Sequence, residues 1–170
     1  MFGLTPLGAI HTAISLVALA AGIIALARDK EIVAQSTLGK TYIWATVLTC
    51  LTGFGIFQHG GFGKPHSLGV ITLVVLSLAM LAAKTTLFGR VSRYVETISY
   101  TMTFFFHLVP GFTETFTRLP AGAPLFKDPD DPALQRTIGV VLLLVLIGIG
   151  LQVRRLRAAR AAAPAFVRAG

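Results

Sequence analysis

The apolar run IGVVLLLVLIGIGLQV at residues 138–153 decides the fold of this chain, because it is the strongest such run in the sequence. A helix needs about 20 mostly apolar residues to cross a hydrocarbon core of about 30 Å. Asp131 and Pro132 precede the run as a typical N-cap and first helical residue, and arginines follow it. We therefore predict a membrane-spanning helix at residues 132–157.

The composition of the whole chain agrees with a membrane protein. Its 170 residues are 54% hydrophobic and only 13% charged, and the mean hydropathy is +0.76. A soluble domain carries about 25% charged residues, so no separate soluble domain fits between the apolar runs. The formal net charge of +8 lies in the segments that flank those runs. This distribution favours the lipid bilayer as a partner and argues against nucleic acid.

Four further apolar stretches precede this run, and together they predict an all-α, polytopic bundle of five transmembrane helices. No basic residue precedes the first stretch, so we expect it to be retained rather than removed as a signal peptide. Pro110 is expected to break the fourth helix. The expected helices span residues 4–27, 41–58, 66–87, 93–117 and 132–157, followed by a basic tail at residues 158–170.

The distribution of lysines and arginines orients these helices. With the N-terminus outside the cytoplasm and the C-terminus inside, 11 of the 15 basic residues fall in inside segments and 4 in outside segments. Cytoplasmic segments of membrane proteins carry such an excess of lysine and arginine. We therefore predict a multi-pass protein with its N-terminus outside and its C-terminus inside.

Polar side chains within the apolar helices are the candidates for function, because their burial in a bilayer is costly. The fourth helix holds most of them, and spacings of 4, 3, 4, 3 and 4 residues place them on one face. The first helix has a face of small residues that lets another helix approach closely. The polar face consists of Glu96, Tyr100, Thr103, His107, Pro110 and Glu114, and the small face of His11, Ser15, Ala18, Gly22 and Ala25.

The predicted orientation brings all four histidines to the outer half of the membrane or to its surface. His11 and His107 lie within helices at similar depth, so they are the candidate pair for binding haem b or for contacting a quinone. His59 and His66 flank a glycine-rich turn, where imidazoles suit a transition metal or serve as ordinary interfacial residues. The helical pair has a structural alternative as well, namely a hydrogen bond between the two rings or to a threonine.

Three functions remain open from the residues alone. The first is a membrane protein whose outer-half histidines hold a redox cofactor. The second is a small transporter or proton-coupled channel that uses the polar face of the fourth helix. The third is a structural or assembly subunit that packs against a membrane-protein partner or a second copy through the small face. The sequence has no phosphate-binding glycine loop, zinc-hydrolase helix motif or nucleophile elbow, so it does not indicate a soluble-type enzyme, and enzyme activity stays open.

Three motifs carry a resemblance to a known family: His11 in the first helix, the run LGKTY at residues 38–42, and the basic stretch at residues 90–100. Over residues 8–119 the chain resembles a widespread family of small bacterial predicted membrane proteins that has no settled activity. Where that family commonly has further histidines, this chain has Ser36-Thr37 and Val91-Ser92. The resemblance implies the bacterial cytoplasmic (inner) membrane, and a general similarity to histidine-bearing b-type membrane cytochromes.

Overall fold

Five α-helices and their connections make up the part of the chain that the structure, a computed structural model, describes, namely residues 5–57 and 61–162. The helices are α1 Pro6–Asp29, α2 Thr37–Gly53, α3 Lys64–Lys84, α4 Ser92–Phe116 and α5 Pro132–Ala162, with one turn of 3-10 helix at Gly89–Val91 before α4. The predicted all-α class with five helices is therefore confirmed. Three of these helices, α1, α3 and α5, are long and apolar enough to cross a membrane.

α2 begins at Thr37, before the predicted start at residue 41, because Ser36 caps it. The Ser36 hydroxyl accepts a hydrogen bond from the N–H of Gly39 at 2.9 Å and donates to the Val33 carbonyl at 2.8 Å. The chain turns so tightly here that a Cβ added to Gly39 would lie 1.9 Å from the Val33 carbonyl oxygen. The glycine of the LGKTY run is therefore required by a close backbone approach.

α4 runs without interruption through Pro110, so the predicted break at this residue is wrong. Proline removes one backbone N–H from a helix. The helix nevertheless continues, and beside the proline the Thr113 hydroxyl donates to the Val109 carbonyl at 2.9 Å. Threonine side chains are one of the devices by which apolar helices tolerate a proline.

α5 continues to Ala162, beyond the predicted end at residue 157, so it includes the first residues of the predicted tail. Its 31 residues extend over about 46 Å at 1.5 Å per residue. At its start the N–H of Ala133 donates to the Asp131 carboxylate at 2.8 Å, and this hydrogen bond lowers the pKa of that carboxyl group. The apolar run and the arginine-rich segment after it thus belong to one continuous helix.

α4 is the central helix of the bundle. It contacts α1, α3 and α5, and hydrogen bonds join it to α2. Most of the side chains that it buries are polar, whereas α1, α3 and α5 expose large apolar side chains. This distribution, polar at the centre and apolar outside, is typical of a bundle in lipid. The exposed apolar residues include Leu16, Val17, Ile23 and Ile24 on α1, Val70, Ile71 and Val74 on α3, and Leu143, Leu144 and Ile147 on α5.

The small-residue face of α1 packs inside the chain. Ala18, Gly22 and Ala25 are buried, and a Cβ added to Gly22 would lie 2.7 Å from the ring of Phe104 and 3.2 Å from the ring of Tyr42. Small side chains thus let the large rings of α2 and α4 approach α1 closely. Because the chain's own helices cover this face, the surface on which the assembly-subunit hypothesis rested is already used.

We expect Gly39→Ala to destabilise the protein by about 1–3 kcal/mol, the cost of overpacking a closely packed site. The added methyl group would overlap a backbone carbonyl, which cannot turn away as a flexible side chain can. Thermal unfolding in detergent, followed by circular dichroism, measures the change. Gly150→Ala is the control, because a Cβ there meets no described atom within 4 Å and alanine favours a helix. Equal melting temperatures for the two variants would contradict the expectation.

Candidate functional site

The polar face of α4 lies in the centre of the bundle over most of its length. Glu96, Tyr100, Thr103 and His107 are buried, and this stretch of α4 covers about 17 Å at 1.5 Å per residue. Glu114 lies on the same face farther along the helix, but it is exposed and forms an ion pair with Arg118. The four buried side chains are therefore the starting point for the site, and Glu114 belongs to the surface.

Two hydrogen bonds join this buried face to α2. Nε2 of His107 lies 3.0 Å from the Thr46 hydroxyl, and the Tyr42 hydroxyl lies 2.8 Å from the Thr103 hydroxyl. Because Thr103 donates to the Tyr100 carbonyl at 2.8 Å, Tyr42 is the donor to Thr103. The ring of Tyr42 also meets the ring of His107 edge-on, with 6.1 Å between centroids. The two bonds are one helical turn apart on both helices, so α2 and α4 run in the same direction in matching register.

His11 bonds to α2 closer to the C-terminal end of that helix. Its Nδ1 lies 3.0 Å from the Thr52 hydroxyl. Because that hydroxyl donates to the Leu48 carbonyl at 2.8 Å, the Nδ1–H of His11 is the donor to Thr52. The imidazole packs tightly on α2, since a Cβ added to Gly53 would lie 3.2 Å from it. Thr52 is about 9 Å along the helix axis from Thr46, so His11 extends the row of polar groups beyond His107.

At the opposite end of the row, Arg93 bridges two carboxylates. Its guanidinium donates to Glu96 and to Glu31, each at 2.8 Å, and the Thr97 hydroxyl donates to Glu31 at 3.1 Å. Among the described residues, Oε1 of Glu96 and the hydroxyl of Tyr100 are buried and have no hydrogen-bond partner within the protein. The Glu96 oxygen can therefore still accept a hydrogen bond, and the Tyr100 hydroxyl can still accept or donate one.

These groups form one row through the bundle, which extends over about 25 Å of helix axis. Imidazole, hydroxyl, phenol and carboxyl groups can each bind a proton and release one, so proton transfer is the chemistry that the row suits. We call the row the polar line, and it consists of His11, Thr52, His107, Thr46, Tyr42, Thr103, Tyr100 and Glu96.

The packing around His11 and His107 does not fit a haem held between the two rings. Each imidazole is hydrogen-bonded to a threonine of α2. The backbone at Gly53 packs on His11, and the ring of Tyr42 packs on His107. A macrocycle between the imidazoles would have to displace these contacts. The residue types suit haem or quinone chemistry, whereas their surroundings match the structural alternative of a hydrogen bond to threonine.

His66, a candidate metal ligand, is buried among aromatic rings at the start of α3. Its Nδ1 accepts a hydrogen bond from the N–H of Gly63 at 3.3 Å. Its ring packs on Phe57 and Phe62, with 5.0 and 5.3 Å between centroids. His59, the other candidate metal ligand, lies outside the described residues. Within residues 5–57 and 61–162, no group of three or more His, Cys, Asp or Glu side chains is arranged to hold a metal ion.

Gln152 is a candidate that the sequence patterns do not single out. It is buried, its amide oxygen accepts from the Thr101 hydroxyl at 3.0 Å, and its amide nitrogen donates to the Lys30 carbonyl at 2.8 Å. It thereby ties α5 to α4 and to the end of α1. One signal in the sequence points to it, because Gln152 is the sole polar side chain in the run at residues 138–153.

Comparison of the chain with protein-family models, with curated proteins and with solved structures finds no match in any of the three. The functional argument therefore depends on geometry, and the polar line is its strongest element. Polar groups inside an apolar bundle are costly unless they are bonded, and they commonly mark pathways for protons or substrates.

We expect Thr46→Val to lower the free energy of unfolding by about 1–3 kcal/mol, because the buried Nε2 of His107 loses its partner. Thr49→Val is the matched control. It makes the same change at a second buried threonine of α2, whose hydroxyl donates to the Ala45 carbonyl of its own helix. Thermal or denaturant unfolding in detergent gives both values. Equal losses would mean that the bond between Thr46 and His107 contributes nothing specific.

Proposed function

We propose that this chain is a multi-pass protein of the bacterial cytoplasmic membrane, with five spanning helices, the N-terminus outside and the C-terminus inside. Three long apolar helices and their exposed apolar faces support this proposal. α2 is shorter, but its 17 residues still extend over about 26 Å, close to the hydrocarbon thickness of about 30 Å. α4 is less apolar because it lies at the centre, where the other helices shield it from lipid.

The charge distribution supports the same orientation. The end of α1, the start of α4 and the end of α5 meet at one end of the bundle. Arg93 pairs there with Glu31, Arg155 donates to the Asp29 carbonyl, and Arg160 donates to the carbonyl of Arg90. Basic segments that are far apart in the sequence thus share one end, as a cytoplasmic face requires. We refer to it as the basic end.

Within this protein the polar line passes protons, as part of a small transporter or a proton-coupled channel. One observation carries this proposal: the hydrogen bonds from His107 to Thr46 and from Tyr42 to Thr103 lie side by side in the buried centre of the bundle. The line covers about 25 Å, most of the about 30 Å of a hydrocarbon core. Tyr100 and Glu96 continue the line with oxygens that have no partner within the described residues. A proton relay needs a row of polar groups, and a purely structural bond needs only one pair.

The proposed relay uses groups that can each hold a proton for a moment. His107 takes up a proton on a ring nitrogen and releases it to a neighbouring hydroxyl. A hydroxyl accepts a proton on its oxygen and gives up its own, so the number of bonds is unchanged. Glu96 receives the proton near the basic end through the oxygen that has no partner within the described residues. No oxidant or reductant takes part.

Two other proposals stand beside this one, of which only the first competes with it. The first is a redox role, in which His11 and His107 give up their present packing to bind haem b or to contact a quinone. The second is membership of the family of small bacterial membrane proteins that the LGKTY run and the basic stretch at residues 90–100 resemble. Membership would support the membrane location without deciding between redox chemistry and proton transfer.

Proton flux into liposomes tests the proposed function. The purified full chain is reconstituted with an internal pH-sensitive dye, and a potassium diffusion potential drives protons inward. We expect His107→Gln to lower the flux by about 100-fold, the lower limit of what a positioned proton-transfer group contributes. Glutamine keeps a polar group near Thr46 but cannot bind and release a proton. A loss of flux would therefore be due to the missing proton-transfer group and not to a missing hydrogen bond.

Two matched controls accompany this experiment. His66→Gln makes the same change at a buried histidine outside the polar line, and it should leave the flux unchanged. Glu96→Gln should abolish the flux, while Glu114→Gln, at the exposed glutamate of the same helix, should not. If the wild-type chain carries no flux, or if both histidine variants lose it equally, the relay is refuted. A Soret band in the purified protein would favour the haem hypothesis instead.

The orientation is tested separately by tagging each terminus in intact cells and in inverted membranes. We expect a tag at the N-terminus to react from outside and a tag at the C-terminus to react from inside, because the basic end faces the cytoplasm. If both tags reacted from the same side of the membrane, the chain would cross it an even number of times, and the five-helix topology would be overturned. Unfolded protein is recognised by its failure to appear in the membrane fraction.

A further inference from the structure

A cavity of about 840 Å³ lies at the basic end of the bundle. It lies among the end of α1, the segment after α3, the start of α4 and the end of α5. Its volume is within the range of about 300–1,000 Å³ that is typical of ligand sites. Five basic side chains and one acidic side chain line it, namely Lys30, Arg90, Arg93, Arg155, Arg160 and Glu31.

Two of these arginines are held in place by backbone carbonyls. Arg155 donates to the Asp29 carbonyl at 2.9 Å, and Arg160 donates to the carbonyl of Arg90 at 3.0 Å. A guanidinium has five N–H donors in a rigid plane, so one such bond anchors the side chain and leaves donors for a ligand. Because the two groups are already positioned, an anion that binds them loses less conformational entropy in ordering the site.

The start of α4 adds to the positive potential of the cavity. Ser92, Arg93 and Tyr94 form the first turn of α4 and line the cavity, and no side chain caps that turn. The N-terminus of a helix carries a partial positive charge, so it favours anions. Arginine and a helix N-terminus together are typical partners of a phosphate group.

The margin of the cavity indicates where the phosphate comes from. Leu87 and Val91 are 68% and 52% exposed. They do not line the cavity, but Leu87 follows the lining residue Thr86 in the sequence and Val91 follows Arg90. Leu156 of α5 lines the cavity itself. Apolar side chains beside the site contribute nothing to the binding of a free phosphate, whereas the acyl chains of a phospholipid would pack against them.

We infer that this cavity binds the phosphate headgroup of an anionic phospholipid, with the acyl chains along Leu87 and Val91. Basic pockets between helices on the cytoplasmic side are a known form of lipid site. The inference rests on the proposed membrane location, but it does not depend on proton transfer. A protein that carries no proton flux would still bind the lipid.

Lipid retention measured by native mass spectrometry tests the inference. The full chain in detergent is titrated with phosphatidylglycerol, and with phosphatidylcholine as the neutral lipid. The double variant Arg155→Gln with Arg160→Gln should bind phosphatidylglycerol at least about tenfold more weakly, because it removes the two guanidinium groups that backbone carbonyls hold in the cavity. Phosphatidylcholine should bind weakly to both proteins. Equal binding of the two lipids to the wild type would overturn the inference.

A matched variant separates the cavity from the general charge of the helix. Arg154→Gln with Arg157→Gln removes the same charge from the same helix at arginines that do not line the cavity. Its affinity for phosphatidylglycerol should stay within about threefold of the wild-type affinity, which is clearly less than the tenfold loss expected of the cavity variant. Equal losses in the two double variants would mean diffuse surface attraction. Arg155→Lys with Arg160→Lys keeps the charge, so it shows whether a weak glutamine variant is merely misfolded.

Inorganic phosphate distinguishes the two sources of the anion. Phosphate added at millimolar concentration should leave the retained lipid in place. If it displaces the lipid completely and binds the wild type alone, the site takes a free anion and the lipid inference is wrong. Proton flux in the same preparation is recorded separately, so loss of flux with retained lipid refutes the relay alone, and the reverse result refutes the lipid site alone.

Discussion

The bonds between α2 and α4 are the constraint on which the rest of the bundle depends. A polar group left without a partner in an apolar interior costs several kcal/mol, so His107 and Thr103 must meet acceptors or donors on another helix. Thr46 and Tyr42 are spaced to do this only when α2 and α4 run parallel in one register. The face of α1 around Gly22 must then be small, because two large rings already occupy the space between these helices.

The central position of α4 explains why this helix, unlike α1, α3 and α5, is not apolar enough to be a candidate span. α1, α3 and α5 have outer faces that meet the surroundings directly, so they are apolar enough to be recognised as candidate spans. α4 buries more polar side chains than the other helices do, and these groups lower its mean hydropathy although it is the most deeply placed helix. In this fold the helix with the most buried polar side chains is therefore the one that the others enclose.

Local patterns in the sequence predict the five helices and the polar face of α4, because both follow from the spacing of residues along one helix. The same patterns place the start of α2 too late and break α4 at Pro110, since a serine cap and a tolerated proline depend on the neighbouring backbone. The partners of the polar face are beyond such patterns. Spacing shows which side of a helix is polar, but it does not show that Thr46 meets His107 or that Gln152 meets Thr101.

Two residues of the basic cavity lie next to the end of the polar line, and this links the two proposals physically. Arg93 and Glu31 line the cavity and also hold Glu96 in place at the end of the line. The cavity at the basic end, with its five cationic side chains and one carboxylate, repels an arriving proton. A bound phosphate would cancel part of that positive potential and add an acceptor oxygen beside Arg93. An anionic lipid in the cavity would therefore lower the electrostatic barrier that protons meet at this end of the bundle, and a neutral lipid would not.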